Sequence, residues 1–437
     1  SYIGYQTLEQ KATKSNMGTV ELNPDAVAMD DVVITQSVAI ARKTRVALST
    51  LDPVFIEEKM GTKEFPEILK STPGVYATKA GGGFGDSKIN MRGFQSANVA
   101  VMVNGVPMND MEWGGLYWSN WAGLSDVTRS MQTQRGIGAS KISSPSVGGT
   151  INIVTNTIDA KKGGTISYGV GNDGANTISA SFSTGLMDNG WAMSALLAKR
   201  WGNGYIQGTG YSAYNWFFNI SKRINENHQL SLTAFGSPQT HNQRKPLYAG
   251  LSIEEWDKVA KWTGEKNKYR YNAVYGFDNN GKERSSMTNT YHKPQISLNH
   301  QWQIDHKSSL STALYMSIGR GSGYSGQGRT SAYRSMWNGS SNGKLLYNFR
   351  KEDGTFDYGA IQDMNAARET GSNMVMSKSN NNHMWSGLLS TYTNELLPGL
   401  ELSAGVDVRY YVGEHTNEII DLYDGAYFID DADRKNV

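Results

Sequence analysis

The sequence predicts a large antiparallel β-barrel that follows a smaller α+β unit. From about residue 163 onward, strand-length segments alternate apolar and polar residues, and a period of two is that of a β-strand. The connections between these segments are short and long in turn, as in outer-membrane barrels, which have short turns at one end and long loops at the other. Residues 38–158 instead mix short helical and strand patterns broken by Gly-rich turns.

Composition agrees with a β-rich chain and excludes little else. The chain has 437 residues, no cysteine, 48 glycines, 23 tyrosines and 11 tryptophans, which is typical of many strands joined by turns. The net charge of +2 gives no electrostatic indication of nucleic-acid binding. No apolar run approaches the roughly 18 residues of a membrane-spanning helix, whereas a barrel strand needs only every second residue to be apolar.

The alternation is clearest in "HQLSLTAFG", where Leu230, Leu232 and Ala234 share one face and Ser231 and Thr233 share the other. A soluble β-sandwich gives the same alternation with its polar face in water. The short connections at 186–190, 224–227, 305–307 and 395–399 alternate with long gaps such as 238–291 and 320–382, which favours the barrel. We count nine strands, with a tenth candidate over 418–429. Five tryptophans near strand ends are candidates for an interfacial girdle: Trp191, Trp201, Trp216, Trp302 and Trp385.

Four segments within residues 31–158 carry a family resemblance. They are "DDVVIT", "ILKSTPGV", "INMRGFQSANVAVMVNGVPM" and "RGIGASKISSPSVGGTINIVTNT". In this order they resemble the TonB box and the plug domain of TonB-dependent outer-membrane receptors, and the resemblance covers about 125 residues. The opening "SYIGYQTLE" resembles the end of the carboxypeptidase-regulatory-like domain that precedes such receptors in Bacteroidota.

The resemblance implies four parts. Residues 1–30 are the tail of the regulatory-like β domain, 31–37 the TonB box, 38–158 a plug in the barrel lumen, and 159–437 the first part of the barrel. A barrel of this family is expected to have 22 strands. Since only nine or ten are counted, we expect the chain to be incomplete.

The resemblance also assigns roles to particular residues. It implies that TonB pairs with the segment Asp31, Val32, Val33, Ile34 and Thr35. Arg92 and Arg135 match plug arginines that form ion pairs with barrel glutamates in the family, because a planar guanidinium suits a carboxylate. The other interpretation is that both arginines are solvated surface residues. Asn104, where the family usually has Asp, and Pro145, within a Gly/Ala-rich turn, depart from the family pattern.

A cluster of aromatic and polar residues in "NDMEWGGLYWSNWAGL" is the candidate ligand site at the plug apex. Aromatic faces commonly hold a ligand while a few polar groups orient it. Packing of the same aromatics between plug and wall is the equally weighted alternative. The candidates are Asn109, Asp110, Glu112, Trp113, Tyr117, Trp118 and Trp121, and the neighbouring Asn120 is a further polar group. "AGGGFGDS" (80–87) is a second loop candidate.

Other patterns predict no chemistry. "GSGYSG" (321–326) fits GxGxxG but opens no helix, so a dinucleotide site is not expected. The seven histidines show no metal-ligand spacing, and no catalytic constellation is found, so we expect neither an enzyme nor a cofactor. Ser252 and Glu255 form a capping-box pattern that predicts a helix near 253–262.

The function expected from the resemblance is active import of a siderophore, vitamin, glycan or peptide across the outer membrane. The expected partners are TonB with ExbB and ExbD, outer-membrane lipid, and a SusD-like or other substrate-capturing lipoprotein. The plug and N-terminus would face the periplasm and the long loops the exterior. The rival hypothesis is a non-transporting structural or receptor subunit of an outer-membrane assembly.

Overall fold

A computed structural model describes residues 47–51, 53–60, 63, 65–79, 84–85, 87–121, 123–135, 146–155, 158, 160–244 and 250–430. The predicted regulatory-like tail, the predicted TonB box at 31–37 and Pro145 lie outside these residues.

The N-terminal unit is a small α+β domain. Its five-stranded sheet has the order β1-β6-β7-β4-β5, and only the β4–β7 pairing is parallel. The central strand β7 is buried along its whole length. Its elements are β1 (Ala47–Leu51), α1 (Pro53–Met60), β2 (Val75–Thr78), β3 (Lys88–Met91), β4 (Val99–Val103), β5 (Val106–Pro107), β6 (Thr128–Arg135) and β7 (Gly149–Thr155). Short 3-10 helices lie at Phe65–Ser71, Ser96–Asn98, Trp118–Trp121 and Leu124–Val127.

The rest of the described chain is a wall of strands with loop elements at one end. In chain order these are β8 (Gly163–Val170), β9 (Asn176–Ser183), β10 (Trp191–Gly202), β11 (Tyr211–Arg223), β12 (His228–Gly236), β13 (Gln239–Asn242), α2 (Ile253–Thr263), β14 (Gly276–Phe277), β15 (Glu283–Arg284), β16 (Thr288–His292), β17 (Gln295–Gln303), β18 (Ser308–Gly328), α3 (Ser331–Met336), β19 (Ser340–Ser341), β20 (Lys344–Leu345), β21 (Phe356–Asp357), α4 (Tyr358–Ala366), β22 (Met374–Leu397) and β23 (Leu400–Asp421).

Two interrupted strands bring the wall to the predicted count. β12 and β13 both pair with β11, and β16 and β17 both pair with β18. Pro238 separates the first pair of segments and Pro294 the second, because proline has no N–H for the ladder. Within the described residues the wall therefore consists of nine antiparallel strands, as predicted.

The two faces of the wall are the reverse of those of a soluble sheet. Leu232 is 37% exposed and Ile296 is 41% exposed, whereas Ser231 and Thr233 are 4% and 1% exposed. The buried polar face lies against the N-terminal unit, whose apolar core includes Leu196, a residue of β10. Apolar side chains directed outward suit lipid, so this inversion decides against the soluble sandwich.

Three strands differ from the sequence expectations. β18, β22 and β23 contain 21, 24 and 22 residues. β18 and β22 therefore extend into the predicted 320–382 loop, and β23 continues past 411, where its predicted strand ends. The tenth-strand candidate is wrong in part: its first four residues continue β23, and a turn with Tyr423 at φ 49° follows. Trp385 is no girdle residue, because it is 5% exposed and packs against Val106 of the N-terminal unit.

The long connections fold into a cap at one end of the wall. The predicted helix is confirmed as α2, and the Ser252 hydroxyl accepts a hydrogen bond from the Glu255 backbone N–H. The reciprocal half of the capping box is wrong, since the Glu255 carboxylate accepts instead from Leu345 N–H and Lys258. None of the helices in the described ranges is long and apolar enough to cross a membrane.

Candidate ligand-binding site

A cavity of about 760 Å³ lies between the apex of the N-terminal unit and the wall. Its volume is within the usual range for small-molecule sites. The N-terminal unit contributes Ser87, Lys88, Asn90, Gln95, Ser96, Ala97, Trp113, Leu116, Tyr117, Ser119 and Asn120, and the wall contributes His241, Gln243, Asn289 and Tyr291.

The apex loop is held in place by two of the predicted ligand residues. The Asn109 side chain accepts from Val101 N–H at 2.7 Å and donates to the carbonyls of Val99 and Gly114. The Asp110 carboxylate accepts from the backbone N–H groups of Glu112 and Trp113 at 2.9 and 3.3 Å. These contacts fix the backbone from which Trp113 projects.

The four predicted aromatics divide into two pairs. Trp113 and Tyr117 are 44% and 51% exposed, and their ring centroids are 5.0 Å apart. Both line the cavity. Trp118 is 5% exposed in the core of the N-terminal unit, and Trp121 packs against the same core. The packing alternative therefore describes Trp118 and Trp121, while Trp113 and Tyr117 are placed to meet a ligand.

The acidic residues of the apex contact the wall. The Glu112 Oε1 accepts from Nε2 of His415 at 2.8 Å, and the Asp110 Oδ2 lies 3.9 Å from Nζ of Lys293. The hydrogen bond from His415 holds the pKa of the Glu112 carboxyl below its ordinary value. Because both carboxylates have partners on the wall, they anchor the apex loop rather than offer free charge to the cavity.

The wall residues of the cavity were missed by sequence reasoning, although a signal for them exists. On β18, Gly321 lies opposite Tyr291 and Gly323 lies opposite Asn289. A Cβ at Gly321 would stand 1.9 Å from the Tyr291 ring, and one at Gly323 would stand 2.7 Å from Oδ1 of Asn289. The "GSGYSG" glycines thus make room for cavity-lining side chains, and no dinucleotide motif is formed.

A second ion pair between the N-terminal unit and the wall was also missed. The Arg200 guanidinium of β10 donates to Oδ1 of Asp126 at 2.7 Å and to the hydroxyl of Ser125 at 3.3 Å. Nearby, a Cβ at Gly123 would stand 2.2 Å from the Asn215 side chain. The two units therefore approach closely enough here that only glycine fits.

The two predicted latch arginines lie close to one another within the N-terminal unit. Carbon atoms of Arg92 and Arg135 both lie near Gly74, and Nη1 of Arg135 donates to the Pro73 carbonyl at 2.9 Å. No ion pair joins either arginine to a carboxylate of the described residues. Their pairing with barrel glutamates stays a prediction.

Of the two departures from the family pattern, Asn104 lies within the described residues and Pro145 lies outside them. Asn104 has φ 51° in the turn between β4 and β5, a conformation that Asn tolerates well. Its amide donates to the Thr155 hydroxyl at 2.8 Å, which an ionised Asp would be unable to do.

No group of metal-ligating side chains is found among the described residues.

Known proteins resemble the N-terminal unit in sequence and both units together in fold. A family model described as the TonB-dependent Receptor Plug Domain matches residues 40–150. Residues 40–150 are therefore a plug domain of the kind that TonB-dependent receptors contain. The solved outer-membrane ferripyoverdine receptor of Pseudomonas aeruginosa aligns with 87% of this chain at a TM-score of 0.58 and 13% identity. At that identity the likeness shows the fold, and it confirms the predicted combination of plug and β-barrel.

Each curated relative matches less than half of this chain. The vitamin B12 transporter BtuB of Vibrio vulnificus is 28% identical over 127 residues, which are 29% of this chain and 20% of that protein. BtuB of Photobacterium profundum is 27% identical over 170 residues, or 38% of this chain and 27% of that protein. This chain spans 44% of the length of the ferripyoverdine receptor. These relatives are named transporters or receptors, which agrees with the expectation that the chain is not an enzyme.

Proposed function

We propose that the receptor imports a nutrient ligand across the outer membrane and that TonB opens the plug. The observation that carries this proposal is the plug domain enclosed by a wall with an apolar exterior, with Trp113 and Tyr117 exposed in a cavity at its apex. A ligand bound there lies between the plug apex and the wall, so the plug has to move before the ligand can pass.

TonB is proposed to pair with the segment Asp31–Thr35 as an added strand. The motivating observation is the strand-like "DDVVIT" that precedes the plug, since an unpaired strand can take up a partner strand through main-chain hydrogen bonds. Energy would come from the proton gradient of the inner membrane through TonB, ExbB and ExbD. In this arrangement the plug and N-terminus face the periplasm and the cap faces the exterior, where a substrate-capturing lipoprotein could deliver the ligand.

The test is a proline at Val33. Proline removes one main-chain donor from the added strand, so V33P is expected to weaken binding of the purified TonB periplasmic domain at least ~10-fold in surface plasmon resonance. Val33→Ala keeps the N–H and is the control. Unchanged TonB binding by V33P contradicts the proposal. TonB binding that depends on Val33, in cells that show no uptake of any bound ligand, would instead favour the non-transporting subunit.

A further inference from the structure

The cavity at the plug apex points to a neutral, polyhydroxylated ligand, and we propose that the receptor binds a neutral oligosaccharide there. This inference rests on the proposed import function and names the ligand class of the same site. It follows from three properties of the lining: its charge, its hydrogen-bonding groups and the way its aromatic rings are held.

Charge separates this site from one for anionic chelates or free metal ions. Of the fifteen described residues that line the cavity, Lys88 alone carries a permanent charge. An anionic ferric chelate would call for several cations, and a bare metal ion would call for carboxylates or several histidines. The nearby Asp110 and Glu112 are paired with Lys293 and His415 of the wall, so they are not available to a metal.

The polar groups of the lining match sugar hydroxyls. Side-chain amides come from Asn90, Gln95, Asn120, Gln243 and Asn289, and serine hydroxyls from three further positions. Each amide offers both donors and acceptors, and a sugar hydroxyl is likewise both donor and acceptor. A ligand without hydroxyl or amide groups would displace water from these amides without offering them hydrogen bonds in its place, which is unfavourable.

The aromatic rings are held in place before any ligand binds. A Cβ at Gly115 would stand 1.9 Å from the Trp113 ring, and a Cβ at Gly321 would stand equally close to the Tyr291 ring. Both glycines therefore leave the space that a cavity-lining ring occupies. The Trp113 ring is further fixed by its contact with Tyr117, at a centroid distance of 5.0 Å. A ring ordered in advance loses little entropy when the apolar face of a sugar stacks on it.

Substituting a glycine of this kind displaces the ring without changing any group that touches the ligand. Gly115 has no positive φ, so its backbone accepts alanine, and the new methyl group must push the Trp113 ring aside. Gly163, in β8, has open space where its Cβ would stand. Gly115→Ala and Gly163→Ala are therefore a matched pair of variants.

The experiment measures binding to the full-length receptor in detergent by isothermal titration calorimetry. The neutral probes are maltoheptaose, cellohexaose, chitohexaose and laminarihexaose, and the comparison probes are ferric citrate and cyanocobalamin. We expect at least one neutral oligosaccharide to bind. Trp113→Ala and Gly115→Ala should each weaken that binding ~10-fold or more, equivalent to about 1.4 kcal/mol. Gly163→Ala and Trp191→Ala, whose ring lies outside the cavity, should leave it unchanged.

Each other outcome overturns the inference. If ferric citrate or cyanocobalamin binds in a Trp113-dependent manner and no oligosaccharide binds, the ligand class is wrong while import stands. If no probe binds, or if the sugar binds equally well to Trp113→Ala, the proposed site is wrong. Import itself is decided separately, by the effect of V33P on TonB binding together with the uptake measurement, so the two failures are distinguishable.

Discussion

A disulfide bond between β1 and β6, the first two strands in the order of the plug sheet, should prevent TonB from unfolding the plug. β1 lies at the sheet edge and pairs with β6 through five residue pairs, one of which is Ser49 with Thr133. Because the proposed TonB box lies upstream of β1, a pull on it acts first on this pairing. Paired Cα atoms of antiparallel strands are about 4.5–5.5 Å apart, within the range that a disulfide bond spans.

The expected magnitude follows from the pairing and the chain length. At about 1 kcal/mol per hydrogen bond, detaching five residue pairs costs about 5 kcal/mol, so β1 detaches spontaneously only in one molecule of several thousand. A bond from 49 to 133 closes a loop of 84 residues. The intact disulfide bond therefore prevents the release of about 290 Å of extended chain, at about 3.4 Å per residue. The Thr133 hydroxyl is buried without a hydrogen-bond partner among the described residues, so cysteine replaces it at little cost.

The assay is single-molecule force spectroscopy of the receptor in a bilayer, pulled from its N-terminus. The oxidised Ser49→Cys/Thr133→Cys variant should lose about 290 Å of the extension that the wild type releases, and a reducing agent should restore it. The wall pair Ser183→Cys/Ser194→Cys, also on partner positions, is the control. The natural chain has no cysteine, so no other disulfide interferes. If the oxidised plug variant extends as far as the wild type, a pull does not unfold the plug through β1.

Two further predictions concern the contacts between plug and wall. Arg200→Ala leaves the Asp126 carboxylate without its partner and should lower the free energy of unfolding by about 2 kcal/mol, measured by denaturant unfolding. Lys161→Ala, at an exposed position, should change it little. The hydrogen bond from His415 lowers the pKa of Glu112. The contact between Glu112 and His415 should therefore be complete above the ordinary pKa of Glu112, and it should be lost as the pH falls from there through the lowered pKa. The fluorescence of the neighbouring Trp113 should follow this loss in the wild type. Glu112→Gln should abolish the pH dependence of that fluorescence.

Much of the fold could be read from the sequence because its signals are local. Alternation of apolar and polar residues, turn lengths and the Ser252 cap each depend on a few neighbouring positions, and each predicts the observed element. The lengths of β18, β22 and β23 could not be predicted in this way. Their outer halves are polar, as in "SKSNNNH" (377–383), and a strand that leaves the lipid no longer needs apolar residues on one face.

The candidate site was harder to predict, since its residues come from distant parts of the chain. The apex aromatics stand out as a cluster in one loop, but their burial depends on the wall. Trp118 is covered by the plug core, whereas Trp113 faces the cavity. The partners of Glu112 and Asp126 lie 303 and 74 residues away. Spacing along the chain carries no information about such pairs, because they depend on how the wall curves around the plug.

The glycines of "GSGYSG" show how a strand glycine can mark a site that the motif itself does not form. In an antiparallel sheet, a residue without a side chain leaves space for the residue directly opposite on the neighbouring strand. Gly321 and Gly323 lie opposite Tyr291 and Asn289, and both partners line the cavity. Once the pairing is known, a glycine pair at i and i+2 therefore identifies two large side chains on one face. In this protein that face is the inner one, so glycines that fit a dinucleotide motif without forming its site instead help to shape the proposed oligosaccharide site.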